Sequence, residues 1–277
     1  MKNGTNKISL ERRKLRDVLR IQEPEDFHNY LLDDALQSYT LRCAELGRGL
    51  GSALAICANF REARALSALP FDHILLTGID DRKLELQEVL DGDPRVTYEQ
   101  HNSERLSIAA RSFDLVICKE GLHHLARPVL GMYEMLRLTR DAVIIIEPFD
   151  TFLGNVLEIL GMSSVYEQAP PGNVDSRPNY VYRWSRRSLA AILNSYYLES
   201  GYSLNLTLGW MSVRVNAHKL KAVRVLSAYS GWVASFIPGS RGNYMSAFIT
   251  AGSDIPRDPE PVAQECAETR SVVPVRA

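Results

Sequence analysis

The chain has 277 residues, 45% of them hydrophobic and 23% charged, with a net charge of −1. That length holds one large domain or two small ones around a substantial core, and the balanced charge gives no global pull toward nucleic acid. Four cysteines (Cys43, Cys57, Cys118, Cys266) lie far apart with neither a CxxC nor metal-type spacing, which excludes a disulfide scaffold and a zinc module and fits a reducing, cytoplasmic setting without a metal.

The opening segment, MKNGTNKISLERRKLRD, lacks the apolar core of a signal peptide, and no run approaches the ~20 apolar residues that span a bilayer. Residues 1–25 are polar and charged, and the first seven or so are expected to fray. From Asp26 to Leu46 the apolar positions Leu32, Leu36, Tyr39, Cys43 and Leu46 alternate steps of four and three, which predicts an amphipathic helix. Gly47 then suits its C-terminal cap.

An α/β alternation follows. Ala53–Cys57 reads as a first strand and 61–68 as a helix. His73–Ile79 reads as a second strand, 83–90 as a helix and Arg95–Glu99 as a third strand. Phe113–Cys118 is the fourth strand, 128–138 a helix and Ala142–Glu147 the fifth strand. These strands are continuous apolar runs, as a parallel sheet covered on both faces requires. Residues 149–184, broken by Pro170-Pro171-Gly172, are too long for a bare loop and predict a lid or substrate-binding insertion. Ser185 can cap a helix over 186–200. Leu204–Leu208 and Tyr244–Thr250 predict a sixth and a seventh strand, closing the sheet antiparallel. Between them lies an insertion, 210–242, with a helix-like run over 218–236, and 253–277 has the composition of a disordered tail. The expected fold is therefore a Rossmann-like, seven-stranded, mostly parallel α/β sheet with helices on both faces. A helical cap over 1–52 precedes a main domain over 53–252.

Open parallel sheets bind ligands beyond the carboxyl ends of their strands. Asp80 ends the second strand, where a carboxylate can accept both hydroxyls of a ribose. It, or the adjacent Asp81, can equally cap the next helix. Two stretches compete for the loop after the first strand. Glu45-Leu46-Gly47-Arg48-Gly49-Leu50-Gly51 is rich in glycine, whereas Cys57-Ala58-Asn59-Phe60-Arg61 has none. An acidic ribose ligand is expected ~20 residues after such a loop begins. Asp80 is 23 residues beyond Cys57 and 33 beyond Gly47, which favours Cys57–Arg61 and makes the glycine cluster a helix stop. Asn59 tolerates a left-handed backbone, while Phe60 and Arg61 add bulk.

Gly78-Ile79-Asp80, Ser112-Phe113-Asp114-Leu115-Val116, Leu122-His123-His124-Leu125 and Glu147-Pro148 together resemble the class I S-adenosylmethionine-dependent methyltransferases. The resemblance covers about Ala53 to Pro148 and departs from the family at the glycine-free loop; the chain is similar to small-molecule enzymes of saccharide, polyketide and quinone biosynthesis. It implies S-adenosylmethionine as cofactor, held by Cys57, Ala58, Asn59, Arg61, Asp80, Asp81, Asn102, Ser103 and Lys119. Asn102 stands where the family usually has an Asp for the adenine amino group, though it also reads as a turn residue. His124, then His123, is the implied base for methyl transfer to a hydroxyl; capping and packing are the alternative roles. Glu147, Tyr182 and Arg183 would meet the acceptor, with Glu147 also suited to binding a backbone amide. Asp114, at the start of its strand, reads as structural.

From Ser176 to Arg224, eight basic residues stand against Glu199 alone, a local charge of +7 with Tyr180, Tyr182 and Trp184 interleaved. Such a face suits an anionic acceptor, a saccharide phosphate or a headgroup at a membrane surface, or it is simply a solvated basic face. No RNA-binding motif accompanies it, so nucleic acid is not an expected partner. Two functions remain. One is a methyltransferase acting on oxygen of a small or glycan-linked acceptor. The other is a non-catalytic binding or scaffold protein whose cofactor loop has decayed. A dinucleotide dehydrogenase is disfavoured because no GxGxxG follows the first strand.

Overall fold

The computed structural model describes residues 6–12, 24–160, 166–167, 179–198, 200–210, 229–237 and 239–252. Its centre is an eight-stranded sheet built from β1 (Lys7–Arg12), β2 (Ser52–Ile56), β3 (His73–Gly78), β4 (Val96–Gln100), β5 (Phe113–Lys119), β6 (Thr139–Pro148), β9 (Tyr202–Gly209) and β10 (Tyr244–Ala251). The strand order is β1-β9-β10-β6-β5-β2-β3-β4. Strand β10 runs antiparallel to both neighbours, β6 and β9; every other pairing is parallel. An antiparallel two-stranded ribbon, β7 (Tyr166–Glu167) with β8 (Asn179–Tyr180), forms a second sheet.

Helices α1 (Pro24–Glu45), α2 (Phe60–Ser67) and α3 (Lys83–Gly92) cover one face; α4 (Pro128–Leu138) and α6 (Arg186–Tyr197) cover the other. Alternate residues of the central strands feed the two cores. Ala53, Ala55, Leu115 and Ile117 point to α1 and α2, whereas Leu54, Ile56, Val116 and Cys118 point to α4. This double burial explains why the strands lack polar alternation. Helix α1 belongs to the same core, with Leu31, Leu32, Ala35, Leu36 and Tyr39 buried in it. A short helix, α5 (Phe152–Ile159), follows β6.

The eighth strand corrects the sequence reading. Residues 7–12, expected within a polar, partly frayed segment, pair with β9 from Lys7↔Ser203 to Arg12↔Leu208. Their alternation of Ile8 and Leu10 with polar residues is too short to stand out, and the pairing comes from distant sequence. The glycine-rich stretch is a helix stop, as its spacing implied. Gly47 has φ 64, and the amides of Gly47 and Arg48 turn back to the carbonyls of Ala44 and Cys43. Of the expected insertions, the structure describes α5 and the β7–β8 ribbon in the first and a helical stretch at 229–234 in the second. The run 211–228 and the expected tail, 253–277, lie outside the described residues.

The chain runs from β2 outward to β3 and β4, then returns to the other side of β2 with β5. The strand order therefore reverses between β2 and β5, and the ligand crevice of such sheets opens beyond the carboxyl ends at this point.

Candidate functional site

Two loops meet at that reversal. The first leaves β2 at Cys57, whose φ of 53 lies in the left-handed region that glycine usually occupies. Asn59 then caps α2: its side chain accepts from the Arg61 amide at 2.9 Å, and Glu62 reaches back to the Asn59 amide at 2.8 Å. The second loop leaves β5 at Lys119 and turns through Glu120, also left-handed at φ 52, to Gly121. A Cβ on Gly121 would overlap the Cβ of Cys57 and lie 2.9 Å from Cys118 Sγ. The glycine missing from the first loop is thus matched by one in the second. Cys57 can carry a side chain because residue 121 does not.

Charges are buried beneath these loops. Lys119 Nζ stands 2.9 Å from Glu62 Oε1, with both side chains almost wholly inaccessible. Glu120 accepts from Tyr244 Oη at 2.6 Å and pairs with His28 Nδ1 of α1 at 2.5 Å. Burial pushes the Glu120 carboxyl up, but His28, Tyr244 and Lys119 outweigh it and hold it at about 2. Glu147, at the end of β6, is fully buried. Its Oε1 accepts the Gly121 and Leu122 amides at 2.9 and 2.8 Å, and its Oε2 accepts His123 Nδ1 at 2.6 Å. His123 is buried and its ring lies 4.2 Å from that of the exposed His124.

The remaining expected residues distribute around this centre. Asp80 is exposed just past β3, and its carboxylate makes no hydrogen bond or ion pair among the described residues. Asp81 accepts the Lys83 amide at 3.1 Å, a turn at the start of α3. Asn102 Oδ1 accepts the Glu104 amide at 2.9 Å, which is the turn role, and the buried Ser103 lies 3.3 Å from Cys57 Sγ. Ala58 is buried, its amide bonded to the Thr77 carbonyl, so it links β2 to β3. Arg61 is half-buried on the first turn of α2. Tyr182 packs edge-on against Trp184, and Arg183 pairs with Glu158 at 3.0 Å. Trp184 is itself buried, bridging Phe149, and fixes the returning chain at the end of β6. Asp114 lies at the opposite end of β5, accepting the Ser52 amide at 2.8 Å.

Two of the expected residues are committed inside the fold. Lys119, expected among the cofactor-binding residues, commits its ammonium to Glu62, because burying one charge requires the other. Glu147, expected either at the acceptor or on a backbone amide of the lid, is fully buried and accepts the Gly121 and Leu122 amides. The sequence reading missed Glu62, Glu120, His28 and Tyr244. Of these, only Glu62 had a local signal, an Asn three residues before a Glu at the start of a helix. Among the described residues, no three His, Cys, Asp or Glu side chains converge as a metal site requires.

Residues 45–146 match the family described as "Methyltransferase domain". The match begins with the glycine-rich stretch, which the fold places at the amino end of β2, away from the crevice. The domain shares its fold with an S-adenosylmethionine-dependent methyltransferase from Clostridium acetobutylicum ATCC 824, at 9% identity and a TM-score of 0.50, over 80% of this chain and 92% of that one. The YcgJ protein from Bacillus subtilis is 12% identical with a TM-score of 0.48, over 73% and 91% of the two chains. Magnesium protoporphyrin IX methyltransferase from Synechocystis PCC 6803, determined with bound SAH, is 15% identical with a TM-score of 0.45, over 81% and 84%. No curated protein matches the chain in sequence. Among the described residues, no helix is long and apolar enough to cross a membrane.

Proposed function

We propose that the chain is an S-adenosylmethionine-dependent methyltransferase acting on oxygen of a small-molecule or glycan-linked acceptor in the cytoplasm. The observation that carries this reading is the placement of an uncommitted carboxylate, Asp80, and the His123–His124 pair on either side of the strand reversal. The residues at the crevice fit the cofactor unevenly. Asp80 is positioned for ribose hydroxyls, and the left-handed Cys57 gives the loop the backbone turn that glycine ordinarily supplies. Asn102 keeps its amide NH2 for the base while its oxygen serves the turn. Lys119 does not join this set through its side chain.

S-adenosylmethionine, when bound, supplies an electrophilic methyl group on a sulfonium leaving group. The protein's own part is alignment and proton transfer. Glu147 fixes the His123 tautomer and clamps the loop that presents both histidines. His124, exposed and packed on His123, is the better placed to take the proton of an acceptor hydroxyl entering from solvent. Exposed Arg186 and Arg187 open α6 beside Tyr182 and favour an acceptor carrying negative charge.

One observation favours a second reading, a non-catalytic methyltransferase-like binding or scaffold protein: no glycine lies between Cys57 and Arg61, and Phe60 and Arg61 occupy that turn. Calorimetric titration with S-adenosylmethionine and with S-adenosylhomocysteine separates the two. Micromolar binding that Asp80→Ala abolishes is the expected result. Folded protein that takes up neither compound overturns the enzyme reading and leaves the second.

A further inference from the structure

Cys57 shapes the cofactor loop only through its backbone and Cys118 has no role above, yet the fold sets their thiols side by side at the strand reversal. Ile56 and Cys118 are direct partners in the parallel β2–β5 ladder, so Cys57 lies one residue past its neighbour. A strand spacing of about 4.8 Å combined with one step of about 3.3 Å separates the two Cα atoms by roughly 6 Å, inside the ~4.4–6.8 Å range that a disulfide spans. The side chains converge as well. The space left by the missing Cβ of Gly121 is flanked by both sulfurs, Cys57 Sγ 3.1 Å and Cys118 Sγ 2.9 Å from where that Cβ would stand.

The two thiols are unequal in the way an attacking and a resolving cysteine are. Cys57 is half-buried at the mouth of the crevice, with Sγ 3.3 Å from Ser103 Oγ; Cys118 is closed off beneath it. A hydrogen bond from Cys118, helped by Ser103 and Arg82, lowers the Cys57 thiol against the opposing effects of burial and Glu147. Burial pushes the Cys118 thiol well up. Thiolate character and access therefore coincide at Cys57.

We propose that Cys57 and Cys118 form a redox-active dithiol that hydrogen peroxide closes into an intramolecular disulfide. The Cys57 thiolate attacks one peroxide oxygen; the O–O bond breaks, hydroxide leaves, and Cys57 becomes a sulfenic acid. Cys118 then gives up its proton and attacks Cys57 Sγ, the S–S bond forms, and the displaced hydroxide takes that proton as water. In balance, two thiols are oxidised to one disulfide while one peroxide is reduced to two waters. The new bond ties the first residue of the loop after β2 to the end of β5, tethering the Cys57–Arg61 turn.

The test uses the full chain with all four cysteines, treated with hydrogen peroxide and read by intact mass and peptide mapping. The expected product is about 2 Da lighter, with the Cys57 and Cys118 peptides joined and released by dithiothreitol. In Cys118→Ser, oxidation stops at the Cys57 sulfenic acid, which dimedone captures. A disulfide joining any other pair, or Cys57 remaining a thiol while Cys43 or Cys266 is oxidised, overturns the proposal. The decisive readout is a cross-link in the unsubstituted protein, so it depends neither on the stability of a variant nor on cofactor binding.

Discussion

The two turns that bracket β2 solve one backbone problem in opposite ways. At the amino end, 47–51 contains three glycines, and both Gly47 and Gly51 are left-handed, at φ 64 and 44. A Cβ on Gly51 would run into the Asp114 carboxylate that holds the Ser52 amide, so glycine is required there in the ordinary sense. At the carboxyl end the chain is left-handed again at Cys57, but the residue carries a side chain. The room for it comes from Gly121, across the reversal. A glycine-rich string is therefore not by itself evidence of a ligand loop. What matters is which end of the strand it lies on, and which neighbour supplies the space.

The contrast can be broken most severely at Gly121. Gly121→Ala places a Cβ against the Cβ of Cys57, which cannot rotate away, and is expected to cost about 3 kcal/mol in urea unfolding. The double variant Gly121→Ala, Cys57→Gly should recover most of it, because the two sites share one space. Independent, additive costs would mean that the reciprocity does not exist.

Next in size is the acid sensitivity of Glu120, the other left-handed residue at the carboxyl end. Its carboxyl is held at about 2, below the ordinary 4.5, so the stabilisation is fully present above pH 4.5 and is lost as pH falls through about 2. Partial exposure reduces the contribution to roughly 2 kcal/mol. Glu120→Gln should flatten the pH dependence of unfolding in that window, and an unchanged slope would remove Glu120 from the buried network. Gly51→Ala should cost less, about 1–2 kcal/mol, since the clashing group is a side-chain carboxylate that can shift. Cys57→Gly alone should move stability by less than ~1 kcal/mol, relief of the left-handed strain being offset by greater freedom in the unfolded chain. A large loss there would show that Cys57 makes packing contacts glycine cannot replace.

The sheet was readable wherever a short segment contains its own explanation. Helix α4 starts at Pro128 and ends at Leu138, the limits its proline and apolar spacing predict. The distance from Cys57 to Asp80 was enough to identify which turn follows β2 on the ligand side. Strand β1 was not readable, because Lys7–Arg12 becomes a strand only by pairing with β9, nearly two hundred residues later. The same limit applies to the site. His123, Asp80 and the loop after β5 announce themselves in sequence, but nothing near Glu120 shows that His28 and Tyr244 will surround it, and nothing near Lys119 shows that Glu62 will take its charge. Pairing between distant segments decides which charges are available to a ligand.

Strand β1 has a practical consequence. It occupies the outer rim of β9, whose Leu204, Leu206 and Leu208 are buried, and so caps the hydrogen-bonding groups along that strand. Proteolytic trimming of the first dozen residues would leave eight residues of β9 as an open template for another chain, and preparations nicked there should self-associate by edge-to-edge pairing of β9 while the rest of the sheet stays folded.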